Sequence, residues 1–315
     1  ITYLFGFKVD VRTVAQVLAQ ANLWLALLAL ALYFVAVCVS ATKWRLLLRL
    51  QRIEVPLTAL WHYTFVGLFF GNFLLPLVAA DVVRGYSLAR HTEHTAEAAI
   101  SVLVDKLVGL LAYSTAAAVM SLGVVLGWIE GRPALLAVIW VVWAAFGAFV
   151  LLFAALLSRR LRRLVERLFA LPLLSKLAPI YHRLSEAIQP FRDRPLGLLK
   201  AFGISLGVLA IANMVNWLLA QALGSALSLK HIFLFNPMIA FAPIVIPSVG
   251  GLGVNQGAYD LFYSTLAGAI PSKVAISLSL LVQLLIYLSS LPGGVLWWRG
   301  RAQRRNGGAG GGKPA

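Results

Sequence analysis

The sequence predicts an all-α integral membrane protein. It reads as a polytopic helical bundle with two oppositely oriented re-entrant or broken helical segments on an inverted-repeat plan. Three observations carry this expectation. Apolar residues make up 61% of 315 positions and charged residues 12%, against about 45–50% and ~25% in soluble domains; mean hydropathy is +0.87. Uncharged runs at 21–41, 55–80, 107–129, 134–157, 201–229, 232–259 and 274–298 each reach the ~20 residues that cross a hydrocarbon core. None alternates polar with apolar, as a barrel strand would. Finally, the basic residues fall into groups that fix the direction of crossing.

The first run, 21–41, holds the single cysteine, Cys38. One thiol excludes a disulfide framework and a Cys-based metal site. Before it, residues 1–7 are apolar but too few to span, and the sequence starts at Ile1. They read as the tail of a preceding helix or as a short interfacial segment. After it come Lys43, Arg45, Arg49 and Arg52. A second basic region runs over 159–194, and a third holds Arg299, Arg301, Arg304 and Arg305. With a net charge of +16, the positive-inside rule assigns all three to the cytoplasm, in the cell membrane.

Counting crossings then singles out two runs. If 55–80 crossed fully, the Arg159 cluster would be extracellular. The count is repaired if 55–80 dips in and returns on the same side. The same test makes 231–272 enter and leave on the outer face, either as a re-entrant pair or as two crossings. Both regions contain helix breakers: Gly67, Gly71, Asn72 and Pro76 in the first, Pro243, Pro247, Gly250, Gly251 and Gly253 in the second. Broken backbone at membrane depth must be buried in protein or line a polar cavity. Two such segments in corresponding halves match the plan of secondary transporters. Two Pro-kinked ordinary helices are the plainer alternative.

Residues 1–298 thus read as one transmembrane domain. Its cytoplasmic connection, 158–195, starts with an amphipathic helix: Leu161, Leu164, Val165 and Leu168 line one face and arginines the others. The basic tail 299–315 reads as flexible. Trp44, Trp61, Trp128, Trp297 and Trp298 stand near span ends, where tryptophan anchors at the interface. Gly67 and Gly71 form a GxxxG pair suited to close helix packing.

Polar groups inside a bilayer mark pathways or packing contacts. Asn72, Asp81 and Arg84 surround the first break. Asp81 reads as the cap of a helix starting at Val82, and the Arg84 guanidinium suits a phosphate. Asp105 and Lys106 either mark the boundary of the next span or face the same cavity. Gly250, Gly251 and Gly253, followed by Asn255 and Gln256, form a turn able to present backbone N–H groups to an anion. Asp260, one turn on, reads as a proton or cation site or as a buried hydrogen-bonded acid. Asn213 and Asn216 share a helix face and either bond between helices or line the cavity. No nucleotide loop is present, because the P-loop Lys-Ser/Thr pair is missing. No metal-ligating set or nucleophile triad stands out, so no cofactor, metal or catalytic residue is expected, and no nucleic-acid partner.

Around the two breaks the sequence resembles the flippase-like transmembrane region of lysylphosphatidylglycerol synthases and its stand-alone relatives. The first motif reads Asn72-Phe-Leu-Leu-Pro76-Leu-Val-Ala79-Ala80-Asp81-Val-Val-Arg84. Lys43-Trp44-Arg45 looks like the family's basic-Trp end of an early helix, and Asp105-Lys106-Leu107 like its acid-Arg-Leu site. Pro247-Ser-Val-Gly250-Gly251-Leu-Gly253-Val-Asn-Gln256 resembles its Pro…Gly-Gly-Leu-Gly-Val-x-Glu motif. Ala79 and Ala80 stand where Gly is frequent, Lys106 for Arg, and Gln256 for Glu, which removes a charge. No part of this sequence corresponds to the soluble aminoacyl-transferase domain. The resemblance therefore implies lipid movement or binding, not aminoacylation. The expectation is a lipid transporter, not an enzyme, holding an anionic or phosphate-bearing headgroup between the two re-entrant elements. A lipid-binding scaffold subunit is the alternative, and a lipid-modifying enzyme the weaker one. Expected partners are membrane lipids, with a homo-oligomer or partner enzyme left open.

Overall fold

The computed structural model describes residues 16–73, 79–92, 95–127, 134–158, 186, 188–246, 251 and 253–308. The described residues are helical, with no strand among them. Five helices are long and apolar enough to cross a membrane: α1 (Leu23–Leu50), α4 (Thr95–Val125), α5 (Ala134–Leu157), α6 (Pro195–Ala222) and α10 (Ser272–Gly308). Between α1 and α4 lie α2 (Leu57–Phe73) and α3 (Ala79–Thr92). Between α6 and α10 lie α7 (Leu229–Ile239), α8 (Ala242–Val245) and α9 (Val254–Tyr259), the last continuing as a π-helical stretch, Asp260–Leu266.

Local chemistry sets several ends. The Asn22 side chain accepts from the backbone N–H groups of Trp24 and Leu25 (3.0 and 3.3 Å), capping α1. Arg194 donates to the carbonyls of Arg49 and Leu50 (3.4 and 3.2 Å) at the other end of α1, where orphan carbonyls and the helix dipole favour a cation. Pro195 opens α6, at the one helical position where its missing N–H costs nothing.

α1 and α6 lie antiparallel along each other. Asn22 N–H donates to the Ala222 carbonyl (2.8 Å) at one end, and Arg194 reaches Leu50 at the other. This orients everything else. The chain leaves α1 at its Leu50 end and enters α2. It turns back through α3, and Leu88 and Ala98 return to pack with Leu48, Ile53 and Leu60. Beyond Ala222, at the opposite end of the pair, α7 enters. The chain breaks and returns through α9, so that Leu227, Ile232, Leu266 and Ile270 share one core with Ala29 and Leu219. We call α2–α3 the first hairpin and α7–α9 the second: Gly67 and Gly71 of α2 lie against Ala80 of α3, and α7 and α9 share one core.

The packing repeats this relation. α1 rests on α2 as α6 rests on α7; α3 lies on α4 as α9 lies on α10. Each hairpin also packs on the other half: α2 on α10, α7 on α4. Exchanging α1–α4 with α6–α10 reproduces every one of these pairings, with α5 left unmatched. The α2–α10 seam is tight. Phe73 stacks on Tyr287 (5.6 Å), Phe70 meets Trp297 edge-on (5.4 Å), and Gly293 lies directly against the Phe65 carbonyl.

Several boundaries differ from expectation for physical reasons. α1 runs nine residues past 41, because Lys43 is compensated inside the protein. α4 begins at Thr95, so Asp105 and Lys106 lie in its third turn, not at its start. α10 continues past 298 to Gly308. The amphipathic stretch 159–170, Pro76, Pro247 and Gly250 lie outside the described residues.

Candidate functional site: a buried chain of ion pairs beside the first hairpin

Three helices bring five charged side chains together. α1 contributes Lys43, α3 contributes Asp81 and Arg84, and α4 contributes Asp105 and Lys106. They form a linear chain of alternating sign. Lys43 Nζ lies 3.0 Å from Asp105 Oδ1, and the other Asp105 oxygen accepts from Arg84 Nη2 at 3.3 Å. Arg84 Nη1 lies 3.7 Å from Asp81 Oδ1, and Lys106 Nζ donates to Asp81 Oδ2 at 2.7 Å. Among the described residues, three cations face two carboxylates in this chain.

The two ends differ in exposure. The side chains of Lys43, Asp105 and Arg84 are 8%, 7% and 11% exposed; those of Asp81 and Lys106 are 25% and 39% exposed. The Lys43 end is dry and the Lys106 end is open. Lys43 also donates to the Asp105 backbone carbonyl at 3.5 Å. The Asp105 oxygen beside it receives no well-aligned hydrogen bond, so charge rather than direction holds this pair.

Close helix approach makes the arrangement accessible to such short side chains. A Cβ on Gly67 would lie 2.8 Å from both the Ala80 carbonyl and Arg84 Cγ, and one on Gly71 2.7 Å from Ala80 Cβ. Two missing methyl groups on α2 thus let α3 settle against it, the role a GxxxG pair serves. The Arg84 guanidinium lies over the Trp44 ring at 4.3 Å. Trp44 is fully buried, and its Nε1 donates to Ser101 Oγ at 3.0 Å. Arg84 Nε is buried with no hydrogen-bond partner among the described residues. The guanidinium is therefore held in place while keeping a donor unused.

One turn along α4 from Asp105, Val108 and Leu111 line an apolar cavity of ≈ 350 Å³. Phe146 and Phe153 of α5 and Leu198 and Phe202 of α6 line it as well, and it is open to the outside of the bundle.

The remaining predicted residues divide differently. Asn72 donates to the Ile286 carbonyl (3.5 Å), joining α2 to α10. Asn213 and Asn216 are 1% and 8% exposed and already partnered. Asn236 Nδ2 donates to Asn213 Oδ1 (3.0 Å), Tyr263 OH to Asn236 Oδ1 (3.3 Å) and Tyr259 OH to Asn216 Oδ1. This network fastens the second hairpin to α6. At the glycine turn, Gly251 and Gly253 have φ of 74° and 82°, the left-handed region that glycine adopts without strain. The Gly253 N–H donates to Gln256 Oε1 at 2.6 Å, so a donor expected to face an anion is satisfied by the protein. Asn255 Nδ2 donates to Gln283 Oε1 at 3.4 Å. Asp260 opens the π-helical stretch, with Oδ1 buried and unpartnered. Pro243 sits in α8.

Two sequence readings need correction. Asp81 is not the cap of a helix beginning at Val82: α3 starts at Ala79 and Asp81 lies in its first turn. Trp44 does not present its ring to lipid as an anchor would, since it is fully buried beside Arg84 and Ser101, and Lys43 is buried with it. Lys43, Trp44 and Ser101 were the participants that sequence reasoning missed. The available signal was charge balance, because two intramembrane acids beside α3 and α4 call for cations from a third helix.

A family model described as "Lysylphosphatidylglycerol synthase TM region" matches residues 1–293. No match was found among curated proteins.

Proposed function

Because this chain belongs to the lysylphosphatidylglycerol synthase transmembrane-region family, a multi-pass membrane protein family tied to lipid handling, we propose that it moves lipid across the bilayer, holding an anionic or phosphate-bearing headgroup at the ion-pair chain. The observation that carries this reading is the chain of five buried or half-buried ionic groups, in which, among the described residues, three cations face two carboxylates. An unbalanced charge in a low-dielectric site is costly, and a bound anion offsets that cost. Arg84 contributes a planar guanidinium and Lys106 contributes the accessible end. The apolar cavity beside Val108 has the chemistry of an acyl chain and lies one turn along the same helix. The cavity faces α5 and α6, whereas Lys106 faces α3, so the two lie on different sides of α4.

In this reading both hairpins are re-entrant elements entering from opposite leaflets, and movement is relative motion of the two halves about the α1–α6 pair. The basic ends of α1 and α10 and the start of α6 lie at one end of the bundle, which we place in the cytoplasm of a cell-membrane protein. Asn72, Asn213, Asn216 and the Gly251–Gln256 turn hold the interfaces; Asn72, Asn213, Asn216 and Asn255 have protein partners, and we assign direct headgroup contact to Arg84 and Lys106. We read the protein as a non-enzyme. Asp81 and Asp105 each bind two cations, which leaves neither carboxylate free as a general base.

The test is reconstitution into phosphatidylcholine vesicles doped with headgroup-labelled phosphatidylglycerol. A membrane-impermeant quencher should reach inner-leaflet label only when the protein is present, and Arg84→Ala should abolish that access. Quenching limited to the outer leaflet in parent vesicles would favour the scaffold reading.

A further inference from the structure

We propose that Asp81 is a resident counter-ion that occupies the headgroup site and competes with the lipid anion for Arg84 and Lys106. The inference rests on the headgroup reading above and adds a role for one residue within it.

The two carboxylates of the chain are not equivalent. Asp105 is 7% exposed and lies between two buried cations at 3.0 and 3.3 Å. Nothing entering from water or lipid reaches it without dismantling the interface of α1, α3 and α4. Asp81 is 25% exposed, and its partner Lys106 39%. Its distance to Arg84, 3.7 Å, is the longest in the chain. Asp81 therefore contacts the two cations a headgroup would use, at the end a headgroup can reach, through the longest contact of the chain to Arg84 and a 2.7 Å contact to the half-exposed Lys106. A carboxylate presents two oxygens to those cations, as one edge of a phosphate does.

Exchange follows from this geometry. An arriving phosphate takes the place of Asp81 on Lys106 and Arg84, while Arg84 keeps Asp105 and the Trp44 ring beneath it. Asp81 stands in the first turn of α3, where its freed charge is favoured by the helix dipole and reaches water. When lipid leaves, Asp81 closes on the cations again. The charge of the site is thus never left bare in either state, and a tightly bound lipid has a built-in competitor that promotes release.

The experiment uses the purified full chain in detergent, with thermal unfolding followed against dioctanoylphosphatidylglycerol and against dioctanoylphosphatidylcholine. Each variant is referred to its own lipid-free midpoint. Asp81→Asn should bind the phosphatidylglycerol about 3- to 10-fold more tightly, as loss of a partly exposed competing ion pair implies, while moving labelled phosphatidylglycerol more slowly in vesicles. Asp81→Ser, also uncharged, must behave alike, and Asp81→Glu must return to parental affinity. Weaker or unchanged binding in both uncharged variants overturns the competition. Arg84→Ala separates the two ideas. If it keeps the phosphatidylglycerol-dependent shift, the headgroup reading fails. If it loses the shift while the uncharged Asp81 variants do not tighten binding, only the counter-ion role falls.

Discussion

Replacing Asp105 by Asn is the sharpest perturbation of the ion-pair chain. Asp105 is the sole carboxylate contacting Lys43 among the described residues, and one of two near Arg84. The substitution keeps the shape and removes the charge, leaving Lys43 buried at 8% exposure without a counter-ion. Breaking a buried pair by neutralising one member costs about 3–5 kcal/mol, mostly the desolvation of the survivor. At roughly 2 °C per kcal/mol for a chain of this size, the apparent Tm should fall by about 6–10 °C. Lys106→Met breaks the outer pair, whose members are 39% and 25% exposed, and should cost no more than about 1 kcal/mol, or ~2 °C. Thermal unfolding of both variants in one detergent–lipid mixture makes the comparison. Lys43→Met combined with Asp105→Asn should recover part of the loss, because the stranded cation is then gone. Equal losses at Asp105 and Lys106, or a double variant as unstable as the sum of its parts, would refute the assignment of a dry and a wet end.

Further outcomes follow from packing. Gly293→Ala drives a Cβ into the Phe65 carbonyl of α2 and should destabilise by about 1–3 kcal/mol, whereas Gly203→Ala and Gly207→Ala, with nothing near the added carbon, should be neutral or stabilise by about 0.4–1 kcal/mol; unfolding midpoints decide. Gln256→Ala removes the acceptor of the Gly253 N–H and should lower stability by roughly 0.5–2 kcal/mol, while Gln256→Glu, which keeps that oxygen, should restore it. Tyr263→Phe deletes the hydroxyl that donates to Asn236 and should cost about 0.6 kcal/mol, the mean for hydrogen bonds between membrane helices. Double-variant cycles of Tyr263→Phe with Asn236→Leu should show that the two effects are not additive.

Much of this architecture is legible in the sequence. Long uncharged runs declare α1, α4, α5, α6 and α10, because a bilayer requires them. Charge parity and the breakers single out the two regions that hold α2–α3 and α7–α9, while residues 74–78 and 247–250 lie outside the described residues. Interior electrostatics are harder to read. Lys43 follows an apolar run and is followed by Arg45 and Arg49, so by local pattern it belongs to a cytoplasmic boundary. Only its pairing with Asp105, 62 positions away, makes burial affordable and extends α1 to Leu50. Asp105 and Lys106 stand inside α4 rather than at its start, because compensated charges do not end helices, and of the two alternatives the sequence left open their contacts with Arg84 and Asp81 fit the shared site. The amides were legible as polar membrane groups but not as partners of one another. Asn213, Asn236 and Tyr263 meet across a fold that no spacing along the chain encodes. The Gln256 departure from the family's Glu becomes intelligible once its oxygen caps Gly253, a task an amide performs as well as a carboxylate.

The central claim is that a lipid phosphate engages Arg84 and Lys106. Its most direct measurement is an electron cryomicroscopy structure of the full chain in nanodiscs of phosphatidylglycerol and phosphatidylcholine. Headgroup density is expected within hydrogen-bond distance of Arg84 and Lys106. Lipid density confined to the outer belt of the bundle, with the two cations touched by protein alone at saturating phosphatidylglycerol, would contradict it.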